Sequence, residues 1–189
     1  MQSEGAVRTV VITGGSSGIG LSTAHAFARR GDNVVLVARG RDRLDDAVRQ
    51  CEALGGRALA VPGDVTDAGR MREVVDAAVA AFGGVDVWVN NAGTSLWGPF
   101  EEIPPEVHRR LVEVDLVGAM NGAHAVVPHF LARGGTGVIV NVVSVGGRIP
   151  IAWAAGYSAA KFGLAGFTDA LRQELAVRSR IAVCGVYPA

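Results

Sequence analysis

The sequence predicts a doubly wound α/β fold, a parallel sheet with helices on both faces. Six short runs rich in Val and Ile alternate along the chain with five longer helical stretches. The short runs are apolar almost throughout, as strands covered on both faces must be. Gly31, Gly55-Gly56, Gly83-Gly84 and Gly134-Gly135 each stand just after a helical stretch, where a left-handed residue lets the chain leave the helix.

Taken in order, the predicted strands are residues 7–13, 33–37, 57–61, 85–89, 137–143 and 181–187. The helices between them are residues 19–30, 41–54, 67–82, 105–132 and 155–177. Right-handed crossovers then give a Rossmann-type strand order, 3-2-1-4-5-6. At 189 residues the expectation is one domain, 1–189, with no internal linker or repeat.

Composition narrows the function classes. Hydrophobic residues make up 49% and charged residues 19%, enough to bury a core and too apolar for global disorder. Lys+Arg and Asp+Glu both number 18, which argues against a nucleic-acid binder working through bulk positive charge. Cys51 and Cys184 lie far apart, and the four histidines have no ligand spacing, so neither a disulfide framework nor a metal is expected. Glu4 and the short apolar run 10–12 do not fit a targeting segment. No stretch approaches the roughly 18 apolar residues of a membrane span, and the expected location is cytoplasmic. One count stands out: of the 18 basic residues only Lys161 is a lysine.

The first strand runs into Thr13-Gly14-Gly15-Ser16-Ser17-Gly18-Ile19-Gly20. Glycines allow a tight turn and close approach of backbone to a pyrophosphate, and the next helix offers its free N–H groups to the anion. The spacing, Gly-x-x-x-Gly-x-Gly, is longer than the common dinucleotide fingerprint. At the end of the second strand an acidic residue would bind a ribose 2′-OH and repel a 2′-phosphate. Here Ala38 and Arg39 stand instead, and a guanidinium pairs well with phosphate, so NADP(H) is expected over NAD(H), with Arg41 and Ser16 assisting.

Tyr157 and Lys161 are four apart at the start of the last long helix and share a face. A cation beside a phenol favours the phenolate, the form a general base must reach. The only lysine thus follows one of only two tyrosines by one helical turn. Ser144, at the end of the fifth strand, lies on the sheet edge that faces a ligand crevice, where a hydroxyl can stabilise a developing oxyanion. After the fourth strand, Asn90-Asn91-Ala92-Gly93 lets backbone pass close to a cofactor.

Together these motifs resemble the short-chain dehydrogenase/reductase family, from Thr13 to Pro188. The resemblance implies that Tyr157 moves the proton at a carbonyl or alcohol oxygen. Lys161 would favour its ionised form and hold the nicotinamide ribose, and Ser144 would orient the substrate oxygen. It implies adenine contacts from Asp64 and Val65, a cleft wall of Asn91, Ala92 and Gly93, and a nicotinamide-side turn at Pro188, although Ala189 replaces the usual glycine. It also implies a homodimer or homotetramer. Asp115 stands where the family usually has asparagine, and its charge is expected to alter the pH profile while the proton relay survives. Trp97, Ile149 and Trp153 flank the catalytic loops as candidate walls for a lipophilic or cyclic ketone or secondary alcohol. Against the family pattern the usual seventh strand and substrate-covering tail are missing after Ala189, so the expectation is a piece of a longer protein. The rival reading is a non-catalytic dinucleotide-binding sensor or scaffold of the same fold.

Overall fold

Strands that are apolar almost throughout need a cover on each side, and the observed layers supply both over the central strands. A computed structural model describes residues 6–189; Glu4, used above, lies outside them. The strands are β1 (Thr9–Thr13), β2 (Asn33–Ala38), β3 (Arg57–Pro62), β4 (Val87–Asn90), β5 (Thr136–Val142) and β6 (Arg180–Val186). All neighbours pair in parallel, in the predicted order β3-β2-β1-β4-β5-β6. Between them lie α1 (Gly18–Ala28), α2 (Arg41–Ala53), α3 (Ala68–Phe82), α4 (Pro105–Val112), α5 (Gly118–Ala132) and α6 (Ala155–Ala176).

Side-chain alternation sorts the core into two layers. Val10 and Ile12 of β1, with Val34 and Leu36 of β2, face Ala24 and Ala28 of α1 and Leu44 and Cys51 of α2. Val11, Val35 and Val37 point the other way, into a layer with Met71 and Val74 of α3, Val126 and Phe130 of α5 and Leu175 of α6. The cysteines are free, Cys51 buried and Cys184 exposed.

Two expectations need correction. The stretch 105–132 is not one helix: α4 and α5 are joined by a π-helical turn, Glu113–Val117. Such turns are rare and cluster at functional sites. This one carries Asp115 inward, where its carboxylate accepts a hydrogen bond from the Thr94 N–H at 2.7 Å. Pro128, the residue most able to break a helix, lies inside α5 without ending it. The fifth strand also stops at Val142, so Ser144 lies in the connection beyond it and not at the strand end.

A line of buried side-chain hydrogen bonds ties the sheet to α6. Asn90 Nδ2 donates to Asn141 Oδ1 at 2.9 Å, Asn141 Nδ2 to Thr168 Oγ1 at 2.8 Å, and the Thr168 hydroxyl to the Leu164 carbonyl at 2.6 Å. Buried amides left unpaired would each cost about 1–3 kcal/mol, so this line fixes α6, and with it Tyr157 and Lys161, against β4 and β5.

Candidate active site

The loop after β1 is braced from behind. The Thr13 hydroxyl accepts the N–H groups of Asn91 and Ala92, each at 3.0 Å. The Asn91 amide in turn donates to the carbonyls of Thr13 at 2.9 Å and Gly14 at 3.3 Å. Gly14 has φ +67, a conformation side chains avoid. At Gly20 a methyl group would overlap the Gly14 carbonyl and the Asn91 amide, so only glycine lets α1 start this close to the loop. Ser17, before α1, makes no capping bond to the helix, which leaves its hydroxyl and the first helical N–H groups for an anion.

In front of this loop lies a cleft of about 730 Å³. Its walls include Ser16 and Ser17, Arg39 and Arg43, Asp64 and Val65, and Ala92 and Gly93. The residues fit a dinucleotide: an uncapped helix start for the pyrophosphate and two arginines at the β2 end for a further phosphate. Ile19 is exposed and does not line the cleft. Arg41 is not on the wall, because it pairs with Asp45 at 3.3 Å on its own helix. Arg43 takes the place expected for it: α2 begins at Arg41 as predicted, but its third residue, not its first, lines the cleft.

Lys161 and Asp115 meet behind Gly93. Their Nζ and Oδ2 atoms are 3.9 Å apart, and both side chains are almost fully buried. Lys161 also donates to the Val142 carbonyl at 3.3 Å, while Asp115 Oδ2 has no hydrogen-bond partner. Burial pushes the Asp115 carboxyl above the ordinary aspartate range, and the Lys161 charge and the Thr94 N–H pull it back only in part. Burial likewise pushes Lys161 below the ordinary lysine range, opposed by Asp115. Both shifts ease the pair toward sharing one proton. A β-carbon on Gly93 would stand 3.5 Å from Nζ, so the lysine lies directly behind the cleft wall.

Ser144 and Tyr157 meet at Gly146. A β-carbon there would be 3.5 Å from Ser144 Oγ and 3.1 Å from the edge of the Tyr157 ring. Lys161 Nζ is 5.6 Å from the centre of that ring. Ser144 has φ 152 and ψ 161, a region that glycine alone populates readily. It is held there on both sides: its Oγ accepts the Gly146 N–H at 3.0 Å, and the next residue, Val145, donates its N–H to the Pro188 carbonyl at 2.9 Å. Pro188 thus lies beside the serine.

Of the expected substrate walls, Trp97, Ile149 and Trp153 are all more than half exposed. Only Trp153 borders a second cavity, of about 350 Å³, with Phe100, Ile103 and His108. The Gly98 N–H donates to the Trp153 carbonyl at 2.8 Å and joins the two loops, and Trp153 holds φ 65. Sequence reasoning missed His108, whose ring stacks on Phe100 at 4.9 Å, because a lone charged or polar residue within a helical stretch carries no signal. It missed Arg110 on the cleft wall for the same reason.

A glycine-looped α/β crevice with a serine, a tyrosine and a buried lysine at one end defines a dinucleotide-dependent oxidoreductase scaffold. The short chain dehydrogenase family model matches residues 8–189, and the chain belongs to that family. It is 40% identical over 172 residues to 3beta-hydroxysteroid dehydrogenase 1 of Eggerthella lenta, covering 90% of this chain and 66% of the relative. Cis-4-hydroxycyclohexanecarboxylate dehydrogenase of Sinomonas cyclohexanicum is 42% identical over 167 residues, 86% of this chain and 65% of the relative. Among solved structures, a single-residue variant of actinorhodin polyketide ketoreductase with NADPH matches with a TM-score of 0.93 at 37% identity, over 100% of this chain and 72% of that one. L-Sorbose reductase from Gluconobacter frateurii, complexed with NADPH and L-sorbose, matches with a TM-score of 0.90 at 36% identity, over 97% and 69%. The chain therefore spans about two thirds of the length of these curated relatives.

Proposed function

We propose that this chain binds NADP(H) and transfers hydride between its nicotinamide and a ketone or secondary alcohol. The observation that carries this is the meeting of Ser144 and Tyr157 at Gly146, with Lys161 5.6 Å from the tyrosine ring and just behind Gly93 on the wall of the cleft that the glycine loop opens. Bound nicotinamide supplies the hydride in reduction and takes it in oxidation. In reduction, the Ser144 hydroxyl hydrogen-bonds the substrate oxygen and holds it as charge develops. The Tyr157 hydroxyl gives that oxygen its proton, and the Lys161 ammonium favours the phenolate left behind. In oxidation the phenolate takes the alcohol proton. Asp115 holds Lys161 from the rear and sets the charge it can show.

The preference for NADP(H) is supported by Arg39 and Arg43 beside Ala38, where an acidic residue would select NAD(H). Two structural neighbours hold NADPH. Arg39→Ala and Arg43→Ala should each weaken NADPH about tenfold, the order of one charge-assisted hydrogen bond, and leave NADH unchanged. Equal losses for both dinucleotides would remove the 2′-phosphate reading.

A lipophilic or cyclic substrate is supported by the aromatic cavity at Phe100 and Trp153 and by the steroid and cyclohexane substrates in two relatives' names. A panel of cyclic and linear ketones and alcohols, followed by nicotinamide absorbance, tests the whole reading. Turnover with NADP(H) on cyclic members is the expected result. Tight binding with no turnover across the panel would point to a sensor of dinucleotides. A homo-oligomer is supported by exposed Met120 on α5 and Phe162 on α6. A cytoplasmic location is supported by the free thiols of Cys51 and Cys184, which suit a reducing compartment. Among the described residues no helix is long and apolar enough to cross a membrane.

A further inference from the structure

Asp64, after β3, and Arg110, on α4, are 46 residues apart in the chain and meet on the cleft wall. Arg110 Nη2 donates to Asp64 Oδ2 at 2.7 Å. The other carboxylate oxygen, Oδ1, accepts the Thr66 N–H at 3.0 Å and the Thr66 hydroxyl at 2.8 Å. Arg110 Nη1 then closes the ring on the Thr66 hydroxyl oxygen at 3.3 Å, with Glu113 at 3.7 Å behind it. The carboxylate is therefore clamped through both oxygens. Burial alone would raise its pKa, but the Thr66 bonds and Arg110 outweigh that and hold it below the ordinary range. It carries no proton to donate. About one third of its side chain remains exposed, which leaves acceptor capacity toward the cleft.

A clamped carboxylate that only accepts can recognise only a donor. Of the purine bases, adenine presents an exocyclic amine at its six position, and hypoxanthine presents a carbonyl oxygen there. A carboxylate oxygen bonds the first and repels the second. Thr66 alone fixes one oxygen and leaves the carboxylate free to swing about it; Arg110 removes that freedom. We propose that Arg110 is a positioning residue for the cofactor's base, clamping Asp64 so that the cleft selects a base bearing an exocyclic amine over one bearing a carbonyl. The inference rests on the dinucleotide reading above and adds to it a residue that acts through Asp64.

The test is equilibrium binding of NADPH and of reduced nicotinamide hypoxanthine dinucleotide phosphate. The proteins are the wild type, Arg110→Met, Arg110→Lys, Asp64→Asn and the Arg110→Met/Asp64→Asn double variant. The wild type should prefer the adenine form by about tenfold, the order of one hydrogen bond to a charged group. Arg110→Met should lower that ratio severalfold, Arg110→Lys should restore part of it, and Arg110→Met should change nothing further once Asp64 is Asn. Equal weakening of both dinucleotides by Arg110→Met would overturn the proposal, as would a ratio that rises because Arg110 itself contacts the base. A wild type that binds NADPH but does not discriminate would overturn it and leave the dinucleotide reading standing. A wild type that binds neither would remove both.

Discussion

The two ends of the cleft are built on opposite terms. At the phosphate end the frame behind the loop is closed within the protein: Thr13, Asn91 and Gly14 bond one another, and Ser17 with the first N–H groups of α1 is left for an anion. At the catalytic end a buried polar group is left unmet. Asp115 Oδ2 has no hydrogen-bond partner, its ion pair with Lys161 is long at 3.9 Å, and Ser144 and Trp153 sit at φ 152 and φ 65. Strain and unmet charge persist only where the surroundings enforce them, here the braced β5–α6 connection and the buried amide line under α6. Recognition of a constant cofactor can be finished in advance. Chemistry on a substrate needs groups whose partners are still to come.

The largest effect expected separates the two ends outright. Tyr157→Phe should lower kcat about 10²–10⁴-fold, the usual worth of a general acid/base, and leave the NADPH Kd within about twofold. Steady-state kinetics and a cofactor titration check this, and activity within tenfold of wild type would take the proton from Tyr157. Gly20→Ala is the mirror experiment. The added methyl meets the Gly14 carbonyl, which is backbone and cannot swing aside. It should cost about 1–3 kcal/mol in denaturant unfolding and weaken NADPH, with kcat at saturation little changed. Wild-type affinity in this variant would mean that the loop does not set cofactor binding.

The same contrast governs how legible each end is in the sequence. Glycine spacing, apolar runs and the lone lysine are local signals, and they deliver the strand order, the phosphate loop and the Tyr157–Lys161 pair. What sequence spacing does not carry is long-range or irregular. The π-helical turn at Asp115 has no composition cue, and Pro128 points to a break that does not occur. Arg43 replaces Arg41 although α2 begins where predicted, because Arg41 pairs with Asp45 and spacing alone does not say which side of the first turn faces the cleft. Arg110 matters only because β3 delivers Asp64 to it across 46 residues. Asn141 and Thr168 read as ordinary strand and helix residues until the register of β4 and β5 sets Asn141 opposite Asn90.

Asp115→Asn sharpens the comparison at the catalytic end alone. Burial lowers the Lys161 pKa and the Asp115 carboxylate raises it. Removing the carboxylate leaves burial unopposed, so the ammonium is lost at lower pH. The alkaline limb of the pH–rate profile that depends on a charged Lys161 should move to lower pH, with NADPH affinity at pH 7 changed less than kcat. An unmoved limb would mean that the Asp115 carboxyl is already neutral in the working enzyme. Burial acts in that direction too, so the experiment decides which partner keeps the shared proton.

The smallest effect is the one that weighs strain directly. Ser144→Ala removes the hydroxyl and its bond to the Gly146 N–H but keeps a β-carbon at φ 152. Ser144→Gly removes both the hydroxyl and the β-carbon. Relief of backbone strain is worth about 1–3 kcal/mol, and the extra freedom of unfolded glycine takes back about 0.5–1 kcal/mol. The glycine variant should therefore be the more stable of the two by about 1 kcal/mol, or about 2–4 °C in Tm for a chain of this size. Both should lose turnover alike, since both lack the hydroxyl proposed to hold the substrate oxygen. If alanine proves as stable as glycine, the strain at Ser144 is not carried by its side chain. The contrast between the two ends of the cleft would then rest on the Asp115–Lys161 pair alone.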